Sequence, residues 1–503
     1  MKLTLKRLVV AVGLTALSAA SAGAGTLTIA QNFDPQTLWP NGTTASDNLN
    51  AGQAIVEALF WEDPRDNKLK PLLATSYELE TPTSVLIKLR AGVKFTNGEP
   101  MNADAVVHSI NLFKDKKQAP AYSLFSGAFD SVARVEDLTV RLKLKKPYPP
   151  IAVALSAVFV TPPKYWAEVG LEKFGNEPIG TGPFKLKSWA RDDRLVMETN
   201  SDYWGELPKG IDELVWRPVP DDAARVAGLL TGEYQVAKDL PVAAIPEIEA
   251  QSELKLVPVS SYRFYQVGLS SLKQHESPVQ NKQVRQALNY AIDKRAIIDS
   301  LFFGKAKPLN GQVLRPEQLG FDSSLKDYPY DPEKAKKMLA EAGYPDGFEI
   351  PFKFPTGRYA QDREVSEALA GMLAKVGIKA KMISLEPGEF LRQLRTMELA
   401  PMYFVGFAPP NDPAITAGLF KSTWRYTTIA NEELDKIIDA GASEMDVAKR
   451  GALYKKMSAI LHDEVPLIFL YYGSDVYGTS NKLKKFKPRG DGRFFFYGVS
   501  LDD

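Results

Sequence analysis

The chain has 503 residues, with 62 lysines and arginines against 61 aspartates and glutamates, a formal net charge of +1. That near balance excludes the concentrated basic excess of a nucleic-acid binder. The absence of cysteine excludes a disulfide scaffold and thiol catalysis, while 45% hydrophobic and 24% charged residues are globular proportions over a length that calls for more than one domain.

In chain order, a short basic stretch, Met1 to Arg7, comes first. An apolar run from Leu8 to Ala20 follows, then the small-x-small sequence Ala22-Gly23-Ala24. This is the layout of a secretory leader, and its apolar run of about 13 residues is short of the ~20 that span a bilayer. A signal peptide over 1–24 is therefore expected, leaving a periplasmic protein that is not membrane-embedded and, without a cysteine to lipidate, not tethered. Loss of Lys2, Lys6 and Arg7 turns the formal charge from +1 to −2.

Beyond the leader, period-2 and period-3.6 segments alternate, the pattern of an α/β protein. Val85, Ile87 and Leu89 alternate with polar partners, as do Val140, Leu142 and Leu144, predicting half-wet strands. A helix is expected over 102–113, and Pro147 to Pro150 and Pro162-Pro163 read as rigid surface turns. Val284, Ala287, Leu288, Ala291 and Ile292 form one helical stripe. Asp331 caps the next helix, Pro332 opens it, and Gly343 with Pro345 ends it. Val365, Ala368, Leu369, Met372, Leu373 and Val376 form another stripe closed by Gly377, which runs into a strand at Ile378, Ala380 and Met382. A helix-then-strand unit recurs over 447–472. There is no fixed-period repeat and no low-complexity linker.

Chemistry-bearing motifs are scarce. The three histidines, His108, His275 and His462, show no ligand spacing, so no metal site and no cofactor are expected. Gly180-Thr181-Gly182 lacks the strand-turn-helix setting of a nucleotide loop. Ser270-Ser271-Leu272-Lys273 and Ser323-Ser324-Leu325-Lys326 match a serine-acylase tetrapeptide without its companion Lys-Thr-Gly. The chain is not expected to be an enzyme; an exported peptide hydrolase is the second reading. What stands out is a set of loops rich in aromatics and proline: Phe33-Asp34-Pro35, Trp39-Pro40-Asn41, Gly357-Arg358-Tyr359, Gly406 to Pro413, and Trp424-Arg425-Tyr426. Flat apolar walls with a few fixed charges suit a pocket for a polar small molecule.

Four longer blocks occur in order: Leu89-Arg90-Ala91-Gly92-Val93-Lys94-Phe95-Thr96-Asn97-Gly98-Glu99-Pro100; Pro178-Ile179-Gly180-Thr181-Gly182-Pro183-Phe184, running on to Asn200-Ser201-Asp202-Tyr203-Trp204-Gly205; Val284-Arg285-Gln286-Ala287-Leu288-Asn289-Tyr290-Ala291-Ile292-Asp293-Lys294; and Tyr330-Asp331-Pro332 through Ala342-Gly343-Tyr344-Pro345. With them the chain resembles the extracytoplasmic peptide-binding family of ABC importers, which includes dipeptide-, oligopeptide-, glutathione- and nickel-binding proteins. The resemblance implies two α/β lobes joined by crossing strands near residues 265–268 and 471–473. Lobe I would hold residues 26–263 and 473–503, with an extra subdomain at roughly 56–178, and lobe II residues 264–472. It also implies a peptide-like ligand in the cleft, membrane permease subunits as partners, and a monomer. Phe33, Trp39, Asn41, Arg358, Tyr359, Phe407, Pro409, Asn411, Asp412 and Trp424 are the expected ligand contacts. Arg358 and Tyr359 match the family's arginine loop, which in dipeptide binders faces the ligand carboxylate. Where peptide binders carry an acid for the ligand's amine, this chain has Ala408, Pro409 and Pro410. Asp412 is the candidate replacement, and a glutathione-like molecule, an opine or a metal chelate enters as an alternative to a plain peptide.

Overall fold

The computed structural model describes residues 25–42, 46–66, 68–119 and 123–502; the expected signal peptide over 1–24 lies outside them. Two strands dominate the architecture, Leu254–Leu269 and Leu467–Ser480, of 16 and 14 residues. They run antiparallel through the whole molecule at the centre of a sheet of 11 strands. Their pairing is in register from Leu254 with Ser480 to Ser260 with Ser474, breaks, and resumes between Phe264 and Tyr472. A break of that kind bends and twists the ribbon, and here it divides the sheet into two lobes.

On one side of the break the long strands continue into Val236–Ala237, Thr26–Gln31 and Glu213–Pro218, then into Arg194–Thr199 and Phe184–Ala190. On the other side they pair with Met402–Phe407, followed by Phe348–Pro355 and Ile378–Leu385, these last three mutually parallel. A separate antiparallel sheet, with strands drawn from residues 74–144, encloses its own core with the helix Ala103–Lys114. Val85, Ile87, Val140 and Leu142 sit in that core on the faces their alternation predicts.

The local helix signals hold. Asp331 accepts the Lys334 N–H at 2.9 Å with Pro332 at the first helical position. Gly377 takes the left-handed conformation (φ +86°) that ends the helix Asp362–Ala374. The two proline stretches differ from each other. Pro150 precedes the helix Ile151–Leu155, and Pro163 opens Pro163–Asn176 with Pro162 buried before it. Residues 149–150 do form a turn, which leads into the helix, whereas Pro163 opens a helix, where a missing N–H costs nothing.

The Gly180-Thr181-Gly182 motif also finds a use. A side chain at Gly180 or Gly182 would lie 1.9 or 2.5 Å from carbonyl oxygens of residues 54–55. These glycines permit close backbone approach, and the Gly182 N–H bonds to the Ile55 carbonyl at 2.9 Å. Among the described residues no helix is long and apolar enough to cross a membrane, and no group of three or more His, Asp or Glu could hold a metal ion.

Candidate functional site

The three parallel strands Phe348–Pro355, Ile378–Leu385 and Met402–Phe407 end on one edge of their sheet. In open α/β sheets the loops beyond such carboxyl ends diverge and leave a crevice for ligand. Here those loops carry Gly357-Arg358-Tyr359, Glu386-Pro387 and Ala408 to Asp412.

The first loop is held by Asp362, the buried first residue of its helix. Its carboxylate accepts the backbone N–H groups of Gly357, Arg358 and Tyr359 at 3.1, 2.8 and 2.9 Å. Gly357 supplies the positive φ (+81°) that lets the chain curl around it. Tyr359 is thereby turned inward. Its hydroxyl donates to the Gly406 carbonyl at 3.3 Å and accepts Arg358 Nε at 3.1 Å. Arg263 Nη1 donates to the same carbonyl at 3.2 Å. The guanidiniums of Arg358 and Arg263 lie 5.2 and 5.5 Å from the Tyr359 ring centre, within cation–π range. Gly406 must be glycine, because a Cβ there would stand 2.8 Å from the Tyr265 ring.

Next along this edge, Phe407 stacks on Tyr426 with centroids 6.3 Å apart, and Trp424 meets Tyr426 edge-on at 5.6 Å. Arg425 lies 5.3 Å from the Tyr426 ring centre. Trp424 Nε1 is enclosed and has no hydrogen-bond partner among the described residues.

Asp412 is engaged within its own lobe. Its carboxylate is buried against Arg450, with oxygens 2.6 and 3.2 Å from the guanidinium, and it caps the helix Pro413–Gly418 through the Ala414 N–H at 2.8 Å. Both of its oxygens are thus engaged within this lobe. Asn411 instead reaches between the lobes. Its Nδ2 donates to Glu62 Oε1 at 3.2 Å while its Oδ1 accepts Arg315 Nη2 at 2.7 Å. Glu62 is further paired with Arg489 at 3.1 Å. Ile415, on the helix that Asp412 caps, packs against the core of the four-stranded subdomain.

Trp39 and Asn41 lie in the interior of the first lobe. Trp39 is interior, its Nε1 bonded to the Gln118 carbonyl at 2.8 Å and its ring edge-on to Trp166 and Phe174. Asn41 is buried and donates to the Ala157 carbonyl at 2.8 Å. The Pro40–Gly42 turn folds both into the first lobe's core. Phe33 stays 44% exposed just past the carboxyl end of Thr26–Gln31, and Pro409 is buried in its loop. Arg263, Asp362, Glu62 and Arg315 were not among the sequence candidates. Only Asp362 carried a readable signal, an acid at the head of an apolar helical stripe.

Two buried carboxylates are electrostatically unusual. Burial and the neighbouring Asp239 push Asp475 up to about 6, against the pull of Arg263 and Lys238. Glu57 is pushed up to about 7 by burial, although it accepts hydrogen bonds from Trp204, Tyr203, Thr181 and Tyr497 at 2.8–3.1 Å. A serine–histidine pair exists as well: Ser270 Oγ lies 2.7 Å from His275 Nδ1. Ser270 has no exposed surface and lines a small cavity with Leu394, Met397, Leu399 and Tyr403.

Two lobes on a bent double strand, with recognition loops gathered at the carboxyl ends of parallel strands, define a two-lobed binding protein of the periplasmic type. The profile of the bacterial extracellular solute-binding proteins, family 5, matches residues 68–426. The chain belongs to that family. It is 30% identical over 529 residues to the glutathione-binding protein GsiB of Pectobacterium atrosepticum, covering 99% of each chain. The structure of HbpA2 from Haemophilus parasuis superposes with a TM-score of 0.84 at 27% identity, over 95% of this chain and 100% of that one. The substrate-binding protein CtaP of Listeria monocytogenes shares the fold with a TM-score of 0.86 at 24% identity, over 95% of this chain and all of that one.

Proposed function

We propose that the chain is the substrate-binding subunit of an ABC importer, capturing a small peptide-like solute between its lobes and presenting the closed form to permease subunits of the inner membrane. One observation carries the reading: Tyr359 and Arg263 both donate to the Gly406 carbonyl at the strand ends, Arg358 donates to Tyr359, and Asn411 of the same loop reaches Glu62 of the other lobe. A solute held at that edge is covered when the lobes approach, so binding and closure are one equilibrium. The likeness to a glutathione-binding protein supports a peptide or peptide conjugate as the solute class.

Arg358, Tyr359, Phe407, Pro409, Asn411 and Trp424 remain the proposed contacts. Arg263, Arg425 and Tyr426 join them, and Phe33 faces them from the first lobe. The lobe boundaries at 263/264 and 472/473 are part of the proposal, since the register break and Gly473 lie there. So are export to the periplasm, action as a monomer, and binding without turnover, which the buried Ser270 hydroxyl supports.

Arg358→Ala is the direct test. Removing a guanidinium that pairs with a solute carboxylate weakens binding by about 2–4 kcal/mol, a loss of tens- to several-hundred-fold in affinity measured by calorimetry. Unchanged affinity would remove Arg358 from the site.

A further inference from the structure

The guanidiniums of this chain that lie over aromatic rings fall into two groups. Arg65, Arg191, Arg315 and Arg450 each also pair with a carboxylate. Arg90 and Arg493 donate to the Leu72 carbonyl and to Gln53 Oε1. The guanidiniums at the strand-end edge also lack a carboxylate, and unlike Arg90 and Arg493, Arg358 and Arg425 are exposed. Among the described residues no carboxylate lies within 4 Å of Arg263, Arg358 or Arg425. Arg263 donates only to Gly406 O, Arg358 Nε only to Tyr359 Oη, and Arg425 makes no hydrogen bond.

The three belong to one contiguous cluster. Arg358 and Arg263 flank Tyr359, Tyr359 bonds to Gly406, Phe407 stacks on Tyr426, and Tyr426 carries Arg425. Two acids of these loops are committed elsewhere, Asp412 to Arg450 and Asp362 to three backbone amides. Glu386, exposed at the end of Ile378–Leu385, is the acid left for a cationic end of the solute. Asp475 lies beside Arg263 at the crossing strands. Arg358 and Arg425 therefore present forks oriented by a ring face and not neutralised by the protein. A planar guanidinium in that state matches a carboxylate in two-point geometry.

We infer that this edge takes a solute bearing two acidic groups, carboxylates by the geometry of the forks, one on Arg358 and the second on Arg425. The inference rests on the capture reading above and narrows it, since a neutral dipeptide supplies only one such group. It also makes Arg425 a specificity-determining residue, because it selects for the second carboxylate.

The test uses two matched pairs: Ala-Glu against Ala-Gln, and glutathione against its glycine monoethyl ester. Calorimetry on the intact protein is expected to show the diacid of at least one pair bound tenfold or more tighter than its monoacid. Arg425→Gln is expected to abolish that difference, lowering diacid affinity about tenfold more than monoacid affinity. An unaltered melting temperature without probe shows that the variant is folded. If Ala-Gln and the ester bind as tightly as their diacids, or if Arg425→Gln weakens both members equally, the inference is overturned while capture of peptide-like solutes stands. If no probe of either pair binds, the capture reading falls and takes the inference with it.

Discussion

Replacing Glu57 with glutamine is expected to make the protein progressively more stable than its parent as the pH rises from about 4.5 to 7. Glu57 sits in the first lobe beneath four donors, Thr181, Tyr203, Trp204 and Tyr497, with no cation bonded to it. Burial raises its pKa from 4.5 to about 7. Between those values the folded chain holds a proton that the unfolded chain has released, so native stability falls with increasing pH across that window. A shift of that size corresponds to about 3 kcal/mol at 1.36 kcal/mol per unit. Glutamine fills the same volume and cannot ionise. Urea unfolding of both proteins at pH 5 and pH 8 checks this: the gap between them should move by about 3 kcal/mol in favour of glutamine. Asp475 titrates over a lower window but is present in both proteins and cancels. A gap that does not move would mean that Glu57 is not desolvated as its surroundings imply.

The second large effect concerns Asp412. If its carboxylate is structural, Asp412→Ala leaves the Arg450 guanidinium buried beside Tyr454 with the Gly441 carbonyl as its remaining acceptor and uncaps the helix Pro413–Gly418. Breaking one side of a buried ion pair costs about 3–5 kcal/mol, so the melting temperature falls by several degrees. The partner variant Arg450→Met, which unpairs Asp412, destabilises comparably. If Asp412 were the amine anchor, its removal would leave stability nearly untouched and weaken solute binding alone. Those opposite outcomes separate the two roles.

The surroundings of Asp412 show what was legible. Asp331-Pro332 and Asp412-Pro413 carry the same local signature, an acidic cap before a proline at the first helical position. It was read correctly at 331 because an apolar stripe follows. At 412 the helix is only six residues, too short to show a stripe, and the resemblance to peptide binders drew attention to a ligand role. Arg450, which decides the matter, is 38 residues away and carries no sequence mark of its destination.

The same distinction runs through the fold. Caps, stripes and alternation, such as Gly377 or Val85 and Ile87, are local and could be placed from the sequence. Trp39 and Asn41 could not, because Trp-Pro-Asn reads alike whether the turn faces a cleft or a core. Glu57 was invisible for a stronger reason: its donors come from positions 124 to 440 residues away. The aromatic loops at 357–359, 406–411 and 424–426 were found because several proline-flanked aromatics fall in the second half of the chain. That Tyr359 meets the Gly406 carbonyl and Tyr426 the Phe407 ring depends on long-range packing, which period-2 patterning does not reveal.

Whether the lobes close on a solute is best measured as a distance between them. The chain has no cysteine, so single cysteines at Val135 and Val447, both exposed and on opposite lobes, can carry spin labels without background. With saturating glutathione, or with Ala-Glu where glutathione does not raise the melting temperature, the interlobe distance distribution is expected to narrow and shift to a single shorter population, and Arg358→Ala is expected to require far more solute for the same shift. Identical distributions with and without a solute that demonstrably binds would contradict capture by closure.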